Sequence, residues 1–508
     1  MKFIYTFFGV ILITNIIAQP TFNKKYYLKY NVAIFSNLDI LKNNLYISGL
    51  MTIEKPYTDA GFFTKLDLNG DTIFTSTLKD SLRTVLWQNN MKLTLDHNYI
   101  LHGGIAGKSR ITLVDTFGNI LRDKLFYSAF ASTNTDTYSK NIYQDSDSII
   151  WLISIVRKSS KQDYIQINKF SRILDSLDRK IISTNGLAKS PKYFNKLASN
   201  KYLIAGSYST EPYVWSNFQI GDFFIVIDSS CNIIEEYNVP SNLKLGGMGD
   251  LIYNEIDSSF VACGTKCYEF IDNSGFGYVY YYSIIYKYDK NKNIIWKANM
   301  GNGEYSQGNS LYRIKNANER DGFVFCGQLF NKKTNSYDGI FGKTSLVGDS
   351  LWLRKYRYFN DTTQLLSDFY EIQPAPDGGY YLSGSTIGGS KPEDNYQGGW
   401  LLKVDKFGCL VPGCEQPDAF STLSQNEIHY KVFPNPTQNE LYVFMDETNG
   451  KEISIKICDI NGILLKSISH YGAATSYTLS LNSYSAGVYF IQFWENNKLV
   501  KTEQFVKQ

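Results

Sequence analysis

Acidic side chains in the predicted loops are the residues of this chain that could carry out acid–base chemistry. A pair of carboxyl groups flanking a glycosidic bond is the usual machinery of glycoside cleavage. The candidates here are Glu211, Asp222, Glu269, Asp272, Glu393 and Asp394. No recognisable motif fixes two of them relative to each other, so ordinary solvated loop charge is the favoured interpretation. A polysaccharide-active hydrolase or lyase is the alternative that these residues keep open.

Aromatic side chains in three long polar segments could instead form a recognition surface. The segments are YSTEPYVWSNFQIG, TKCYEFIDNSGFGYVYY and STIGGSKPEDNYQGG. Loop aromatics suit contacts with a glycan or a peptide. The candidate ligand-binding residues are Tyr213, Trp215, Phe218, Tyr268, Phe276 and Tyr396. The competing interpretation is that these rings pack the loops against their own strands.

The four histidines give no signature of a metal site or of an activated nucleophile. His97 and His102 flank a strand without an acidic or cysteine partner at ligand spacing, and we interpret them as surface or hydrogen-bonded side chains. His429 and His470 lie in the C-terminal segment. The sequence contains no HExxH, GxSxG or Walker motif. We therefore expect no catalytic residue, no metal and no cofactor.

Two short acidic stretches resemble parts of calcium loops. They are Asp67-x-Asn69-x-Asp71 and Asp289-x-Asn291-x-Asn293. Both lack the later bidentate glutamate, and both occupy the turn between two apolar runs. An aspartate that binds the backbone of its own turn is the favoured interpretation.

The chain has seven cysteines, and so small and uneven a number argues against a disulfide scaffold. Cys409 and Cys414 are the best candidates for a disulfide, because Pro412-Gly413 can turn the chain back between them. Cys263 and Cys326 each precede a strand-terminal glycine, so we expect them at equivalent core positions.

The composition bounds the class of protein. The chain has 508 residues, which predicts two or more domains. Its formal net charge of +3 argues against nucleic acid as the main partner. Aromatic residues make up 15%, with 39 Tyr and 32 Phe, and no long segment has helical periodicity. The composition therefore favours an all-β protein.

The N-terminus is typical of an export signal. A positive start at Lys2 precedes the apolar run from Phe3 to Ile17, and Ala18 suits cleavage before Gln19. The run is shorter than the ~20 residues of a membrane span. We expect residues 1–18 to be a signal peptide that delivers the chain to the periplasm.

A repeat with a marker glycine organises most of the chain. The clear marker glycines are Gly49, Gly103, Gly206, Gly264, Gly327 and Gly384, and a weaker copy ends near Ile155. Each copy has an apolar strand, a loop, a second apolar strand, a tight turn such as Asp405–Gly408 and often a Trp-bearing third strand. Seven copies with a period of about 50–60 residues are typical of a β-propeller, with a solenoid as the alternative.

The repeats between Phe22 and Cys414 resemble those of exported bacterial β-propellers of the kelch-like or tachylectin-like sort. The resemblance implies a seven-bladed propeller over residues 19–414. It also implies that the long loops lie on one face of the disc and the tight turns on the other. It says little about function.

The C-terminal segment resembles the type A sorting domain of the type IX secretion system of Bacteroidetes. The matching residues are Pro434, Asn435, Pro436, Gly487, Tyr489, Lys501 and Lys507. The match spans residues 429–508 after a polar linker at 415–428, and it departs from the family by ending in Gln508. The resemblance implies a small Ig-like β-sandwich, the type IX machinery as partner, and removal of the module with release or attachment to surface lipopolysaccharide.

These observations predict a secreted or cell-surface, non-catalytic binding protein that recognises a glycan or a peptide. A hydrolase or lyase is the first alternative. A structural or adhesive role in the cell envelope is the second.

Overall fold

The chain is almost entirely β-structure in the part that the structure describes. The computed structural model describes residues 20–28, 32–53, 58–78, 90–105, 108–127, 137–145, 149–159, 162–183, 187–209, 220–240, 245–254, 257–271, 277–305, 310–318, 320–358, 365–388, 396–411, 414, 430–433, 435–445, 452–460, 462–471, 476–495 and 498–508. The predicted signal peptide and linker lie outside these residues. Within them, no helix is long and apolar enough to cross a membrane. The chain divides into two compact units, Met1–Ser421 and Thr422–Gln508.

The described part of the first unit forms seven antiparallel sheets of four strands each. The first sheet contains β2 (Val32–Leu41), β3 (Asn44–Ile53), β4 (Thr58–Asp67) and β5 (Thr72–Leu78). The second contains β6 (Met91–Leu93), β7 (Tyr99–Ile105), β8 (Lys108–Val114) and β9 (Ile120–Tyr127). The third contains β10 (Thr137–Gln144), β11 (Ile150–Ser159), β12 (Gln162–Phe170) and β13 (Ser176–Ser183). The fourth sheet contains β14 (Ala188–Ala198), β15 (Lys201–Ser209), β16 (Ile220–Ile227) and β17 (Ile233–Val239). The fifth contains β18 (Leu245–Asn254), β19 (Ser259–Ile271), β20 (Gly277–Tyr288) and β21 (Ile294–Tyr305). The sixth contains β22 (Ser310–Asn316), β23 (Gly322–Asn331), β24 (Ser336–Ser345) and β25 (Ser350–Tyr356).

The seventh sheet joins the two ends of the first unit. Its strands are β26 (Leu366–Pro374), β27 (Tyr380–Ile387) and β28 (Gly398–Val404), and the N-terminal strand β1 (Phe22–Tyr26) pairs with β28 as the fourth. The first strand of every sheet in chain order is called its inner strand below: β2, β6, β10, β14, β18, β22 and β26. Each inner strand contacts the inner strands of the two adjoining sheets, and β26 contacts β2.

Hydrophobic cores lie between adjacent sheets. One core combines Phe35 and Phe62 of the first sheet with Tyr381 and Leu401 of the seventh. The second strands of the sheets carry the marker glycines and are buried on both faces, as in β27, where all but the last residue is buried. This explains why these strands appear in the sequence as continuous apolar runs rather than alternating ones.

Five of the marker glycines lie opposite a bulge in the neighbouring inner strand. Six inner strands have a register shift at the same place, between Phe35 and Asn37 in β2 and between Phe369 and Glu371 in β26, for example. A bulge brings the inner backbone close to the second strand. A Cβ on Gly384 would lie 1.8 Å from the carbonyl oxygen of Asp368. Glycine is the residue that fits so close an approach. The third sheet has Ser154 at this register, opposite the bulge of β10.

The tight turns between third and fourth strands form as the sequence predicts. In the turn after β20, the Asp289 carboxylate accepts backbone N–H groups of Asn291 and Asn293, both at 2.8 Å. Asp67 does the same after β4, at 2.9 and 2.8 Å. Among the described residues, no three His, Cys, Asp or Glu side chains are grouped as metal ligands.

Two sheets share one hydrophobic core in the second unit. The strands are β29 (Tyr430–Phe433), β30 (Glu440–Met445) and β33 (Ser476–Ser480) in one sheet, and β31 (Glu452–Cys458), β32 (Leu464–Tyr471), β34 (Gly487–Glu495) and β35 (Lys498–Lys507) in the other. Leu441 and Leu479 of the first sheet pack with Ile455, Ile491 and Phe505 of the second.

Candidate functional site

Two sets of residues, called rings below, recur along the inner strands, and Tyr193, Tyr143 and Ile252 among them also pack against the cores. Six residues of the first ring directly follow the bulge, Asn90 directly precedes β6, and those of the second ring come two positions later. Because side chains alternate along a strand, the residues between the rings face the cores, as Leu38, Ile314 and Ile372 do. The first ring contains Asn37, Asn90, Asn141, Tyr193, Asp250, Arg313 and Glu371. The second contains Asp39, Lys92, Tyr143, Asn195, Ile252, Lys315 and Gln373.

Charged groups of three adjacent inner strands form one buried network. The Arg313 guanidinium on β22 donates to Asp250 of β18 at 3.2 Å and to Glu371 of β26. Lys315 lies 2.8 Å from the other oxygen of Glu371. Asp250 also accepts the backbone N–H of Ile314 at 3.2 Å. These contacts hold three sheets in a fixed arrangement around the axis of the inner strands.

The electrostatics of the network follow from burial and pairing. Burial raises the pKa of Asp250, and the adjacent Arg313 only partly opposes this. Burial alone would lower the pKa of Arg313, but Glu371 and Asp250 outweigh it and raise that pKa above its ordinary value. Both carboxylates therefore keep a cationic partner, as buried charges require.

Asp39 and Lys92 belong to the second ring, on the inner strands β2 and β6 of the first two sheets. The Asp39 carboxylate accepts the backbone N–H of Ile40 at 2.9 Å and the hydroxyl of Tyr99 at 3.2 Å. Burial raises the pKa of Asp39, and the hydrogen bond from Ile40 opposes the rise. The Lys92 side chain is accessible to solvent, yet the surrounding protein desolvates its ammonium and lowers its pKa, while Asp39 opposes the change.

A polar and aromatic cleft opens beside the second ring. Its volume is about 340 Å³, and its lining is Tyr143, Tyr193, Asn195, Lys196, Leu197, Ala198 and Tyr253. Leu197 and Ala198 directly precede the turn between β14 and β15, so the cleft lies at the end of the sheets that carries the tight turns. The long loops link second to third strands at the opposite end, because neighbouring strands are antiparallel.

An acidic group lies toward the long-loop end of the seventh sheet. Asp368 accepts hydrogen bonds from the backbone N–H of Ser385 at 3.0 Å, from its hydroxyl at 2.7 Å and from Tyr370 at 2.6 Å. Burial raises the pKa of Asp368 to about 6, against the hydrogen bonds from Tyr370 and Ser385.

Of the predicted ligand-binding residues, Tyr396 is the one whose side chain the structure describes, and it is 46% exposed. Tyr213, Trp215, Phe218 and Phe276 lie outside the described residues. Tyr268 pairs with Tyr280 through the backbone of β19 and β20, and its side chain is outside the described part. The recognition surface on the long-loop face therefore stays a prediction.

The predicted carboxylates do not come together within the described residues. Asp222 is buried and accepts the hydroxyl of Tyr288 at 2.7 Å. Glu211, Asp272, Glu393 and Asp394 are outside the described residues, and Glu269 is described only in its backbone.

The two rings are not evident from the sequence, because the recognisable repeat begins at the second strand of each sheet. Asp250, Arg313 and Glu371 are separated by 63 and 58 residues, which is one repeat in each case. The signal to look for was therefore a charged residue 13 or 14 positions before the last three marker glycines, Gly264, Gly327 and Gly384.

His102 corrects a prediction. It is fully buried on β7, and neither ring nitrogen has a hydrogen-bond partner among the described residues. Its ring stacks on Phe126 at 6.2 Å, and burial lowers the pKa of His102 to about 3. The pattern had indicated a surface or hydrogen-bonded histidine, but the side chain faces a core where only the neutral form is stable.

The cysteines lie where the sequence placed them. Cys409 and Cys414 form a disulfide with 5.6 Å between their Cα atoms. Cys263 and Cys326 are buried free thiols, opposite Asp250 and Arg313 in equivalent registers.

One residue of the sorting motif, Asn435, forms a clamp on the last strand. The Asn435 side chain donates to the carbonyl of Gln504 at 2.8 Å and accepts the N–H of Val506 at 3.0 Å. Pro436 follows at an exposed position, and Pro434 is outside the described residues. Thr437 then pairs with β35 beside Lys507.

The other motif residues belong to β34 and β35. Gly487 begins β34. Tyr489 stacks on Phe505 at 5.6 Å and donates to Ser485 at 2.8 Å. Lys501 pairs with Glu503 at 2.6 Å. The motif therefore stabilises one edge of the second unit.

Residues 431–508 match the model of the secretion system C-terminal sorting domain. The chain therefore carries this domain, engages the type IX secretion machinery and is exported to the cell surface or the extracellular space. No curated protein matches the sequence.

Solved structures similar to this chain share little sequence with it. A member of the DUF4221 family from Bacteroides vulgatus has 10% identity and a TM-score of 0.36, over 61% of this chain and 91% of that one. The periplasmic gluconolactonase of Pseudomonas aeruginosa has 8% identity and a TM-score of 0.36, over 64% and 88%. An α-L-arabinofuranosidase from Clostridium thermocellum has 12% identity and a TM-score of 0.30, over 53% and 95%. Likenesses this low assign neither a fold nor an activity to this chain.

Proposed function

We propose that this chain is an exported, non-catalytic binding protein, built as a seven-bladed β-propeller with an Ig-like sorting domain. The cyclic contacts of the seven inner strands support the ring. So does a contact that recurs around it. The turn glycine of one sheet lies against an aromatic ring on the outer strand of the preceding sheet, as Gly348 does on Trp296 and Gly408 on Trp352. Gly70 of the first sheet lies in the same way on Phe22 of β1.

The observation that carries the binding function is the cleft beside the second ring. Three tyrosines line it together with Asn195 and Lys196. Tyrosine rings with amide and hydroxyl groups suit sugars, which present both apolar faces and hydroxyls. A glycan is therefore the ligand class that the cleft fits best.

A glycan and peptide array on the full mature chain tests this proposal. We expect glycan binding that Tyr253→Ala weakens at least about fivefold, since truncating an aromatic anchor commonly costs about 1 kcal/mol or more. Tyr396→Ala and Trp215→Ala test the long-loop face, where the sequence predicts recognition. Loss in Tyr396→Ala or Trp215→Ala but not in Tyr253→Ala would move the site to that face. Binding confined to peptides, or to nothing on the array, would contradict the glycan proposal.

A hydrolase or lyase is a second candidate, and Asp368 is the observation that favours it. A carboxyl group with a pKa of about 6 beside a tyrosine has the properties of a general acid. Release of reducing sugar from polysaccharides by the wild type, but not by Asp368→Asn, would establish this alternative. Equal release by both variants would exclude Asp368 as its acid.

The fate of the sorting domain belongs to the same proposal. We expect removal of residues 429–508 after export, followed by release of the propeller or its attachment to surface lipopolysaccharide. If the propeller is attached to lipopolysaccharide but binds no glycan or peptide, a structural or adhesive role in the envelope would be the remaining function. Mass spectrometry of the exported chain, with and without lipopolysaccharide extraction, distinguishes these fates.

A further inference from the structure

We infer that the sugar bound in the cleft is uncharged and that the side-chain amide of Asn195 donates a hydrogen bond to one of its hydroxyl groups. The inference rests on the proposed function, because it assigns a chemical class and a recognition residue to the ligand of the same cleft. Its basis is the charge balance of the cleft lining and the orientation of the Asn195 amide.

The lining of the cleft has no uncompensated charge among the residues that the structure describes. Lys196 is the charged residue of this lining, and the others are three tyrosines, one asparagine and two apolar residues. The Lys196 ammonium pairs with Asp145 at 3.0 Å, and the Asp145 side chain is buried. The Tyr202 hydroxyl also donates to Asp145. A ligand carboxylate or sulfate would therefore lie beside a cation that is already paired, and an unpaired charge that leaves water costs free energy.

A local hydrogen bond orients the Asn195 amide. Asn195 is the second-ring residue of β14, and its Oδ1 accepts the backbone N–H of Lys196 at 2.9 Å. Asp39, at the equivalent position of β2, accepts the backbone N–H of Ile40 in the same way, also at 2.9 Å. Because the backbone holds Oδ1 of Asn195, Nδ2 is the atom of the amide that remains for a ligand in the cleft.

The adjacent sheet does not supply a hydroxyl partner for Nδ2 at the place where Asp39 has one. Tyr99, four positions before the marker glycine of the second sheet, donates its hydroxyl to the second oxygen of Asp39 at 3.2 Å. The residue at that position in the fifth sheet, next to the sheet of Asn195, is Phe260, whose ring packs on Tyr253 of the cleft at 5.1 Å. Within the described part of the chain, the bond to the backbone is the one hydrogen bond of the Asn195 side chain. An amide donor that lines a cleft in this way suits the hydroxyl oxygen of a sugar.

The charge of the ligand is tested on an array in which every neutral oligosaccharide has an acidic counterpart of the same backbone. Methyl-esterified and free oligogalacturonates form one pair, and desulfated and sulfated galactans form the other. For the full mature chain we expect the neutral member to bind at least about fivefold more tightly, because the acidic group would lose water without gaining a free cation. Asn195→Asp keeps an acceptor for the Lys196 N–H and adds a negative charge, so it should increase the preference for the neutral member.

The hydrogen bond is tested with monodeoxy analogues of the neutral oligosaccharide that binds most tightly. Wild type should bind one analogue about two- to tenfold more weakly than its parent, since a hydrogen bond between neutral groups contributes this much. Asn195→Leu should bind the parent more weakly by the same factor and should no longer distinguish it from that analogue. Asn316→Leu is a matched control that should behave as wild type, because Asn316 is exposed at the end of β22 and is not among the lining residues. Thermal unfolding of each variant verifies its fold.

The outcomes separate the two proposals. Equal or tighter binding of the acidic members by the wild type would overturn the inference and leave the glycan-binding function standing. The same holds if wild type and Asn195→Leu distinguish every analogue from its parent equally well, because Asn195 would then contact no hydroxyl group. Binding of no member would overturn both proposals.

Discussion

Arg313 and Glu371 are 58 residues apart in the sequence and form an ion pair between two adjacent inner strands. The same guanidinium reaches Asp250 on the strand to its other side. One side chain thus joins three sheets, and each partner comes from the same position of the repeat.

Removing Arg313 should destabilise the first unit strongly. Arg313→Met leaves two buried carboxylates without their cation, and breaking a buried ion pair in this way costs about 3–5 kcal/mol. Chemical denaturation followed by tryptophan fluorescence measures the change. In the triple variant Arg313→Met/Asp250→Asn/Glu371→Gln the stranded charges are removed as well, so most of the lost stability should return. If the single variant lost less than the triple variant, the network would not hold the sheets together.

The marker glycines should resist even the smallest side chain. In Gly384→Ala the new methyl group would lie 1.8 Å from the carbonyl oxygen of Asp368, so the bulged inner strand must move. Forcing an extra group into a packed interior costs about 1–3 kcal/mol, and a backbone clash belongs at the upper end of that range. Ser154→Ala is a matched control, because Ser154 takes the equivalent register in the third sheet, opposite Ser139. Equal losses for the two variants would contradict the close backbone approach at Gly384.

The same glycines show how much of the fold could be predicted from the sequence. Second and third strands are buried on both faces and end in local turn chemistry, as at Asp289, so their signals lie within a few residues. The sorting domain was also predictable, because Asn435 and Gly487 lie in a recognisable motif. These parts of the fold depend on short-range patterns.

The inner strands and the charged network were not predictable in that way. In an inner strand such as β22, side chains alternate between a face toward a hydrophobic core and a face toward the other inner strands. The partners of the second face come from other sheets, so a pattern within the strand does not reveal them. Arg313 appears in the sequence as an ordinary surface charge until Asp250 and Glu371 are brought to it. The burial of His102 has the same origin, since its environment includes Phe126 on another strand of the sheet.

Deleting residues 430–508 should stop export at the periplasm. The deletion removes the whole sorting domain that the type IX machinery engages. In a host with that machinery, fractionation followed by immunoblotting should find the wild type outside the outer membrane and the deletion variant in the periplasm. Asn435→Ala removes the clamp on β35 and should give an intermediate distribution. Equal surface amounts of the deletion variant and the wild type would contradict the assignment of the domain.

His102 should make the folded state sensitive to acid. Its pKa falls from 6.5 to about 3 on folding, so between these values the unfolded chain binds a proton that the folded chain does not. The contribution of His102 is therefore fully present above pH 6.5 and is lost at about 1.4 kcal/mol per pH unit as the pH falls. In urea denaturation from pH 4 to 7, this contribution should be missing from both His102→Leu and His102→Gln, so the stability of each variant relative to wild type should rise by this amount per unit as the pH falls below 6.5. A difference from wild type that does not change with pH in either variant would contradict the assignment.

Asp368 should have the opposite effect over part of the same range. Burial raises its pKa from 3.8 to about 6, so between these values the folded chain keeps a proton that the unfolded chain releases. The stability that it contributes is fully present below pH 3.8 and is lost as the pH rises to 6, by about 3 kcal/mol in total. Asp368→Asn, which resembles the protonated acid, should therefore be more stable than wild type at pH 8 and about equal to it at pH 3.5.

The two groups should offset each other between about pH 4 and pH 6, because their proton uptake on unfolding has opposite signs. In wild type, these two groups together should therefore contribute little to the pH dependence of the free energy of unfolding between about pH 4 and pH 6. His102→Leu alone should lose stability as the pH rises, Asp368→Asn alone should gain it, and the double variant should again be flat. Since the two residues lie in different sheets, their effects should add. Slopes of the same sign in the two single variants would show that burial does not control both groups as the structure indicates.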